Sequence, residues 1–322
     1  MPASPDAAIL RRLRGPGDDF TLGSELGEPG AVARRIAGLR EAGYEIEQHP
    51  HLGYRLISSP DRLIADDILS RLPERRRWVR EVMVFQSVGS TNDMVTNLAR
   101  DGAEAGLTVF AEEQTAGRGR LGRRWQSDPR LGLWFSILLR PGTPLAEWPR
   151  LTLWVAYAVA RGIREYGGPQ TMVKWPNDIY ASGRKLAGIL VETSLGRNPF
   201  ATAGIGLNVN HPCFPAPLDA TATSLRIETG APLDRNGIAA AILASMDESF
   251  HLIDSDFREI VDWASEVDFL RGRWISATAG SDICEGEAEG LDENGALLVR
   301  TTAGTVSRLN SGEVTRFSIT SR

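Results

Sequence analysis

The hydrophobic period of this chain changes twice, and the changes limit what each stretch can become. In residues 1–60 apolar positions first recur at helical spacing. Ala7–Leu13 reads as a short helix closed by Gly15-Pro16-Gly17, and Thr21–Leu26 as a second. Val32, Ile36 and Leu39 mark the buried stripe of a third over Ala31–Ala42, stopped by Gly43. The period then drops to two. Tyr44 and Ile46 alternate with Glu45 and Glu47, and Tyr54 and Leu56 flank Arg55, around a turn at His49–Gly53. Three helices and a two-stranded wing predict a winged helix-turn-helix-like unit, with a boundary at Pro60-Asp61.

Residues 61–271 mix both periods and predict an α+β unit with a central sheet. Strands are expected at Val82–Gln86, Leu107–Gln114, Leu133–Arg140, Val173–Trp175, Ile179–Ala181, Leu186–Glu192 and Ala203–Asn208. Ser90 or Thr91 is placed to N-cap a helix carrying Met94, Val95 and Leu98. Leu151, Val155, Val159 and Ile163 mark another helix, and Ile238, Ile242, Met246, Phe250 and Ile253 a long one. From 272 to 322 only short strands remain: Trp274–Ala277, Glu287–Gly290, Leu297–Arg300, Val306–Arg308 and Val314–Ile319. Turns at Asp292–Gly295 and Ala303-Gly304 separate them, predicting a small SH3-like barrel.

Composition removes several function classes. A length of 322 residues with 42% hydrophobic and 24% charged residues describes a soluble, multi-unit globular chain. The apolar runs Leu131–Leu139 and Leu151–Ala160 reach about half of a membrane span. No secretory leader opens the chain, and the distant Cys213 and Cys284 suit a reducing compartment, so a cytoplasmic location is expected. The four histidines lack ligand spacing, which argues against a protein-built transition-metal site. A net charge of -5 argues against affinity for nucleic acid over the whole surface.

Four segments carry chemistry. Of the 36 basic residues only Lys174 and Lys185 are lysines, and both fall in VKWPNDIYASGRKLAGILVET. A compact ammonium retained in so arginine-rich a chain points to a task that a planar guanidinium does not fit. If Ser182-Gly183 is a two-residue hairpin turn, Tyr180 pairs with Lys185, and Asp178 lies on the same face roughly 7–8 Å away at the backbone. That pairing reads either as a structural salt bridge or as a cation held ready to bridge two anions. In EEQTAGRGRLGRRW (Glu112–Trp125), glycines permit close backbone approach while arginines offer forks for phosphate or carboxylate. The glycine spacing is neither Walker A nor Rossmann, and a solvated basic loop is the competing reading. SVGSTN (Ser87–Asn92) sits at a strand-to-helix junction, and GIGLNVN (Gly204–Asn210) is a strand whose glycines admit a ligand.

STN, EQTAGRGRLGRRW, KWPNDIY…RKLAGILVE and GIGLNVN, in that order, resemble a biotin protein ligase (biotin–[acetyl-CoA-carboxylase] ligase). The likeness covers the central region, and the two flanks match the bifunctional ligase/biotin-operon-repressor type. It implies a class II biotin/lipoate ligase-like catalytic domain between the two smaller units. It implies activation of biotin by ATP to biotinyl-5'-AMP, with Mg²⁺ entering on the ATP phosphates, then transfer of biotin to a lysine of a biotin carboxyl carrier protein. Carried over, Lys185, Asp178 and Arg120 are the catalytic candidates. Ser90, Thr91, Asn92, Gln114, Gly117, Arg118, Gly119, Arg120, Lys185 and Gly188 would contact biotin. Arg118, Arg120, Arg123, Trp125, Lys174, Asn177, Lys185 and Asn208 would serve ATP and the adenylate. A homodimer and operator DNA are further partners of that type of ligase, DNA contacts falling on Arg34, Arg35 and Arg40. Lipoate ligases share the catalytic fold but lack the GRGRLGR run.

The chain departs from the pattern at both ends. Only Gly27-Glu28-Pro29-Gly30 separates Leu26 from the Ala31 helix, shorter than the family's usual turn. Residues 1–60 hold seven arginines against eight carboxylates, so this unit is expected to pack or regulate rather than read operator DNA. Near the end Glu313 occupies the expected Gly-Glu, but the basic residue is Arg316, on the opposite strand face from the expected one.

Overall fold

The computed structural model describes residues 4–15, 19–280 and 282–318. The chain opens with α1 (Pro5–Leu13), α2 (Gly23–Leu26) and α3 (Pro29–Glu41), followed by the hairpin β1 (Glu45–His49) and β2 (Gly53–Ser58). Ile9, Leu10, Val32, Ile36, Leu39 and Ile46 form its small core. Of the helix expected over Thr21–Leu26, only Gly23–Leu26 forms. Thr21 instead bridges Tyr54 of the wing, where its backbone N–H and C=O are both satisfied. The stop at Pro16-Gly17 lies outside the described residues.

Next come α4 (Ala65–Arg71), β3 (Glu81–Val88), α5 (Thr91–Arg100), β4 (Leu107–Gln114), β5 (Gly132–Leu139), α6 (Arg150–Glu165), β6 (Met172–Lys174), β7 (Asp178–Ala181), β8 (Arg184–Ser194) and β9 (Phe200–Asn208). They build one seven-stranded mixed sheet in the order β3-β4-β5-β9-β8-β7-β6. Only β3 and β4 run parallel, joined by the α5 crossover; the other pairs are antiparallel. Helices α7 (Leu225–Thr229), α8 (Arg235–Ser249), α9 (Leu252–Ser255) and α10 (Phe257–Glu266) follow. The long helix read through Ile253 breaks at Phe250, whose ring stacks on Trp78 at 4.4 Å. Alternate residues of β5, β8 and β9 enter the core beneath α6 and α8 (Leu133, Phe135, Ile137; Ala187, Ile189; Ala203, Ile205, Leu207). Each large apolar side chain so buried contributes about 1.5–3 kcal/mol.

The chain ends in β10 (Trp274–Ala279), β11 (Asp282–Leu291), β12 (Leu297–Thr301), β13 (Val306–Leu309) and β14 (Glu313–Phe317), one antiparallel sheet in the order β13-β12-β11-β10-β14. The strand expected over Val314–Ile319 ends at Phe317, with Ser318 already outside it, and Ile319 lies outside the described residues. The core of this sheet takes in Trp175 and Tyr180 from the central region, so the two units share an apolar contact. Among the described residues no helix is long and apolar enough to cross a membrane.

Two buried ion networks fasten the first unit and the segment after it. Asp67, fully buried, accepts from Arg14, Arg71 and the Tyr44 hydroxyl. Burial and the adjacent Asp67 charge push the Tyr44 phenol far above its ordinary range. Glu112 of β4 pairs with Arg235 at 2.6 Å, both almost wholly buried, and accepts the Leu63 N–H at 2.7 Å.

Candidate functional site

Strand alternation lays the floor of a cleft of ≈ 840 Å³ on the sheet face opposite α6. If Ala187, Ile189, Ala203, Ile205 and Leu207 go into the core, Gly188, Leu190, Glu192, Gly204, Gly206 and Asn208 must face the other way. Gly188 and Gly206 are direct cross-strand partners. The Trp125 indole lies on both. A Cβ on Gly206 would meet its Nε1 and Cε2 at 2.4 Å, and one on Gly188 would meet Cζ3 at 2.9 Å. Trp125 Nε1 is buried without a hydrogen-bond partner.

One end of the cleft is polar and neutral. Ser90, Thr91 and Asn92 at the start of α5 are all buried. Ser90 stands at the N-cap position, but no side-chain cap forms, so its hydroxyl is not used as the sequence suggested. Gln114 Oε1 accepts from Thr91 N at 2.8 Å and Thr91 Oγ1 at 3.1 Å, while its Nε2 donates to Ser127 at 3.0 Å. Ser136 Oγ lies 2.7 Å from Thr91 Oγ1 and 2.6 Å from Asn92 Oδ1. Asn92 Nδ2 donates to Leu190 O and Glu192 Oε2, and its Oδ1 fills the space that a Cβ on Gly204 would need. The Asn92 amide therefore clamps β5, β8 and β9 together.

The other end is cationic. The Ser182-Gly183 turn has positive φ at both residues (47° and 77°), as a type I′ hairpin requires, and Tyr180 pairs with Lys185. A bulge between Ile179 and Tyr180 then inserts Leu186 as an extra residue. Asp178 consequently pairs with Gly188, and Lys185 and Gly188 share the cleft face. Lys185 Nζ sits 2.6 Å from Asp178 Oδ1 and 5.3 Å from the Trp125 ring. The Lys185 backbone is pinned by Thr221 O and Thr223 N of the loop after β9. Asn208, also on this wall, donates to Thr223 O at 3.0 Å, and Asn177 donates to Ile189 O at 2.8 Å. Both amides hold backbone rather than reaching into open space.

Over this end folds the arginine loop. Gly117 O accepts from Trp125 N and Gly119 N donates to Arg123 O, with Arg120–Gly122 as the tip and Leu121 at φ 56°. Gly117 is buried under the loop, outside the cleft wall. Arg118 makes a bidentate pair with Asp93 at 2.7 and 2.6 Å. Arg123 pairs with Glu313, which the last sheet contributes to the cleft. Arg120 is half-buried, its carbonyl accepts from Arg123 N, and its guanidinium makes no hydrogen bond or ion pair among the described residues. Burial pulls its pKa below the ordinary arginine value, against the opposing charges of Glu313 and Asp178.

Lys174 is half-buried between the rings of Tyr180 and Phe317, at 5.7 and 5.1 Å, and donates to Val314 O at 3.4 Å. Burial lowers its pKa. Ser90, Thr91, Asn92, Gln114, Arg118, Gly119, Arg120, Arg123, Trp125, Lys174, Asn177, Asp178, Lys185, Gly188 and Asn208 thus all line one cleft. Arg316 is exposed and does not. Ser127, Ser136, Glu192, Asp93 and His211 were missed. They carry no motif, and only the alternation of β5 and β8 could have flagged Ser136 and Glu192. His211 lies on the wall with its Nδ1 buried and unpartnered, stacked on Phe214 at 4.8 Å, and burial lowers its pKa. Among the described residues no group of three or more His, Cys, Asp or Glu is arranged to hold a metal ion. At the far end of the chain's first unit, Arg35 pairs with Asp6, Arg40 donates to Ile46 O, and Arg34 is exposed.

A neutral polar end, a flat glycine floor and a cluster of cations can hold a small apolar molecule whose carboxylate meets a phosphate. Residues 84–210 match the biotin/lipoate A/B protein ligase family, and residues 272–315 the biotin protein ligase C-terminal domain. Fold, cleft and family match define a protein ligase of the biotin/lipoate class. The chain is 35% identical to the bifunctional ligase/repressor BirA of Bacillus subtilis, over 92% of this chain and 94% of that protein. It is 33% identical to the biotin–[acetyl-CoA-carboxylase] ligase of Mycobacterium tuberculosis, over 73% and 88%. The biotin protein ligase from Aquifex aeolicus, solved in complex with biotin and ATP, superposes with a TM-score of 0.65 at 30% identity, covering 74% of this chain and 100% of that one. The chain belongs to the biotin protein ligase family.

Proposed function

We propose that this chain is an ATP-dependent biotin protein ligase. In the first step a carboxylate oxygen of biotin attacks the α-phosphorus of ATP, the bond to the β-phosphate oxygen breaks, and pyrophosphate leaves. In the second, a lysine amine of the carrier attacks the acyl carbon of biotinyl-5'-AMP, AMP departs and the amine loses a proton. Two anions must meet in the first step, so a cation aimed between them is the main catalytic need. The observation that carries the reading is Lys185, held 2.6 Å from Asp178 beside the Gly188/Gly206 floor. Asp178 orients that ammonium. Arg120 at the loop tip, Arg123 and Lys174 supply charge for the phosphates, and Trp125 covers the floor and shields the mixed anhydride from water.

Ser90, Thr91 and Gln114 suit the ureido end of biotin. Asn92, Asn177 and Asn208 are read as holding the walls that ligands touch. Magnesium enters as part of the MgATP substrate rather than in a protein-built site. The accepting partner is a biotin carboxyl carrier protein of a carboxylase, and the reaction belongs in the cytoplasm, where ATP and carrier meet. We extend the reading to three units, 1–60, 61–271 and 272–322, and to a homodimer on resemblance to the repressor-type ligases, to be checked by sedimentation velocity.

The first unit serves as a packing unit rather than a reader of operator DNA. In support, Arg35 and Arg40 are already engaged within it. The N-terminus of α3, which would face phosphate, is capped by the Glu28 carboxylate through Gly30 N and Ala31 N. A salt-sensitive gel shift on the chain's own promoter, strengthened by biotin and ATP, would overturn this part. The activity itself is tested by offering biotin and lipoate side by side with ATP and a carrier domain. Labelling by biotin is expected; preferential transfer of lipoate would overturn the reading.

A further inference from the structure

The loop over the cleft contains two arginines two residues apart, Arg118 and Arg120, and their surroundings differ. Arg118 has its guanidinium filled: two nitrogens on the two oxygens of Asp93, at 2.7 and 2.6 Å, and a second carboxylate, Glu192, at 3.7 Å. Glu192 is itself tied to Asn92, the residue before Asp93, at 2.5 Å. Arg120 is half-buried at the tip and, among the described residues, unpaired. The opposite leg is fastened separately, by Arg123 on Glu313 and by Trp125 on the glycine floor. Asp93 lies in the first turn of α5, where the positive end of the helix favours a carboxylate.

We propose that Asp93 is a positioning residue of this ligase, fixing Arg118 as the anchor of the loop so that Arg120 alone of the two meets the ligand. A bidentate carboxylate leaves Arg118 little capacity for an incoming anion. Freeing it would remove the bidentate pair that ties the first leg to the start of α5 and leave only the longer contact with Glu192 among the described residues. Arg120, carried two residues further on, has no competing partner and is free to pair with the acyl-phosphate. The Arg118 pair also holds the Asp93 carboxyl below the ordinary carboxylate range. This assignment rests on the ligase reading for what Arg120 meets, though not for how the loop is held.

The test uses the full chain with Asp93→Ala, Asp93→Asn, Arg118→Ala and the Asp93→Ala/Arg118→Ala double variant. Without ligand, trypsin cleavage after Arg120, Arg123 and Arg124 is followed by mass spectrometry. With ligand, the dissociation rate of biotinyl-AMP, the KM for biotin and kcat for adenylate formation are measured. Each single variant is expected to raise loop cleavage and adenylate dissociation about three- to five-fold, the range of a partly exposed bidentate pair. KM for biotin should rise with little change in kcat, and the double variant should be no worse than either single. Arg118 and Asp93 are 38% and 55% exposed, so thermal midpoints should stay close to wild type. Loop cleavage unchanged in Asp93→Ala overturns the proposal. So does an Arg118→Ala loss far larger than that of Asp93→Ala with multiplicative effects in the double, since Arg118 would then bind ligand itself. If the wild-type chain makes no biotinyl-AMP, the ligase reading fails, and the ligand-free cleavage arm still decides how the loop is anchored.

Discussion

Replacing Lys185 by alanine is the perturbation with the most to say about the chemistry. The ammonium is 31% exposed and its partner Asp178 15% exposed, 2.6 Å apart. The ammonium is partly exposed but the Asp178 Oδ1 it faces is buried, so the variant should lose about 1–3 kcal/mol of stability and is assayed well below its thermal midpoint. The catalytic loss should be larger. Removing one preorganised charge donor from a water-poor site costs roughly 3–4 kcal/mol of transition-state stabilisation, a factor of about 10²–10³ in rate. The carboxylate of Asp178, left without its cation, adds repulsion against the incoming phosphate in the same direction. Lys185→Arg should rescue little. A planar guanidinium spreads its charge over a fork instead of placing one compact ammonium between Asp178 and the Trp125 ring. Biotin-dependent exchange of labelled pyrophosphate into ATP measures the first step alone, with Lys174→Arg as the paired control. Exchange within about three-fold of wild type in a folded Lys185→Ala protein would refute the bridging role.

Gly206→Ala should displace Trp125 from the floor, because the new methyl would lie 2.4 Å from its indole, and should weaken biotin binding by about 1–3 kcal/mol in calorimetry. Gly196→Ala, with nothing within 4 Å, is the control, and equal affinities in the two would refute the packing argument. With only two lysines in the chain, ¹³C-lysine labelling gives two side-chain signals. The Lys174 signal should titrate below the ordinary value of about 10.4, because burial disfavours its charge. Its folded pKa being the lower one, the folded chain sheds this proton first, so stability rises with pH from the folded pKa to the unfolded one. A Lys174 midpoint at or above the ordinary value contradicts the burial argument. Arg235→Ala leaves Glu112 buried and unpaired and should cost about 3–5 kcal/mol in denaturant unfolding. Arg300→Ala, breaking an exposed pair with Glu289, should cost under about 1 kcal/mol. Similar losses for the two would sink the buried-charge reasoning.

Much of the molecule was legible in the order of its residues. Helix and strand periods located the strands and the helices α3, α5, α6 and α8, because apolar spacing is set by the geometry of the element itself. Helices α4, α7 and α10 were not read from the sequence. The Tyr180–Lys185 pairing followed from two turn residues, since a two-residue hairpin leaves only one register. The glycines of β9 were read as admitting a ligand, whereas the pairing of Gly188 with Gly206 came only from the register of β8 on β9. Where local reading failed, a distant partner intervened: Tyr54 drew Thr21 out of a helix, and Trp78 stacked on Phe250 where a helix was expected to continue.

The division of labour among the polar residues was decided only in three dimensions. Asn92, Asn177 and Asn208 read as ligand contacts, but their amides are largely taken up by neighbouring strands and loops. Arg118 and Arg120 are indistinguishable in GRGR, and only Asp93, 25 residues before Arg118, separates them. The bulge at Leu186, invisible in composition, turns Lys185 onto the same face as Gly188. Glu313 reaches Arg123 across 190 residues. Sequence spacing governs what a residue's near neighbours allow. Which charges meet, and therefore which remain free for a ligand, depends on contacts between segments that only the packed sheet brings together.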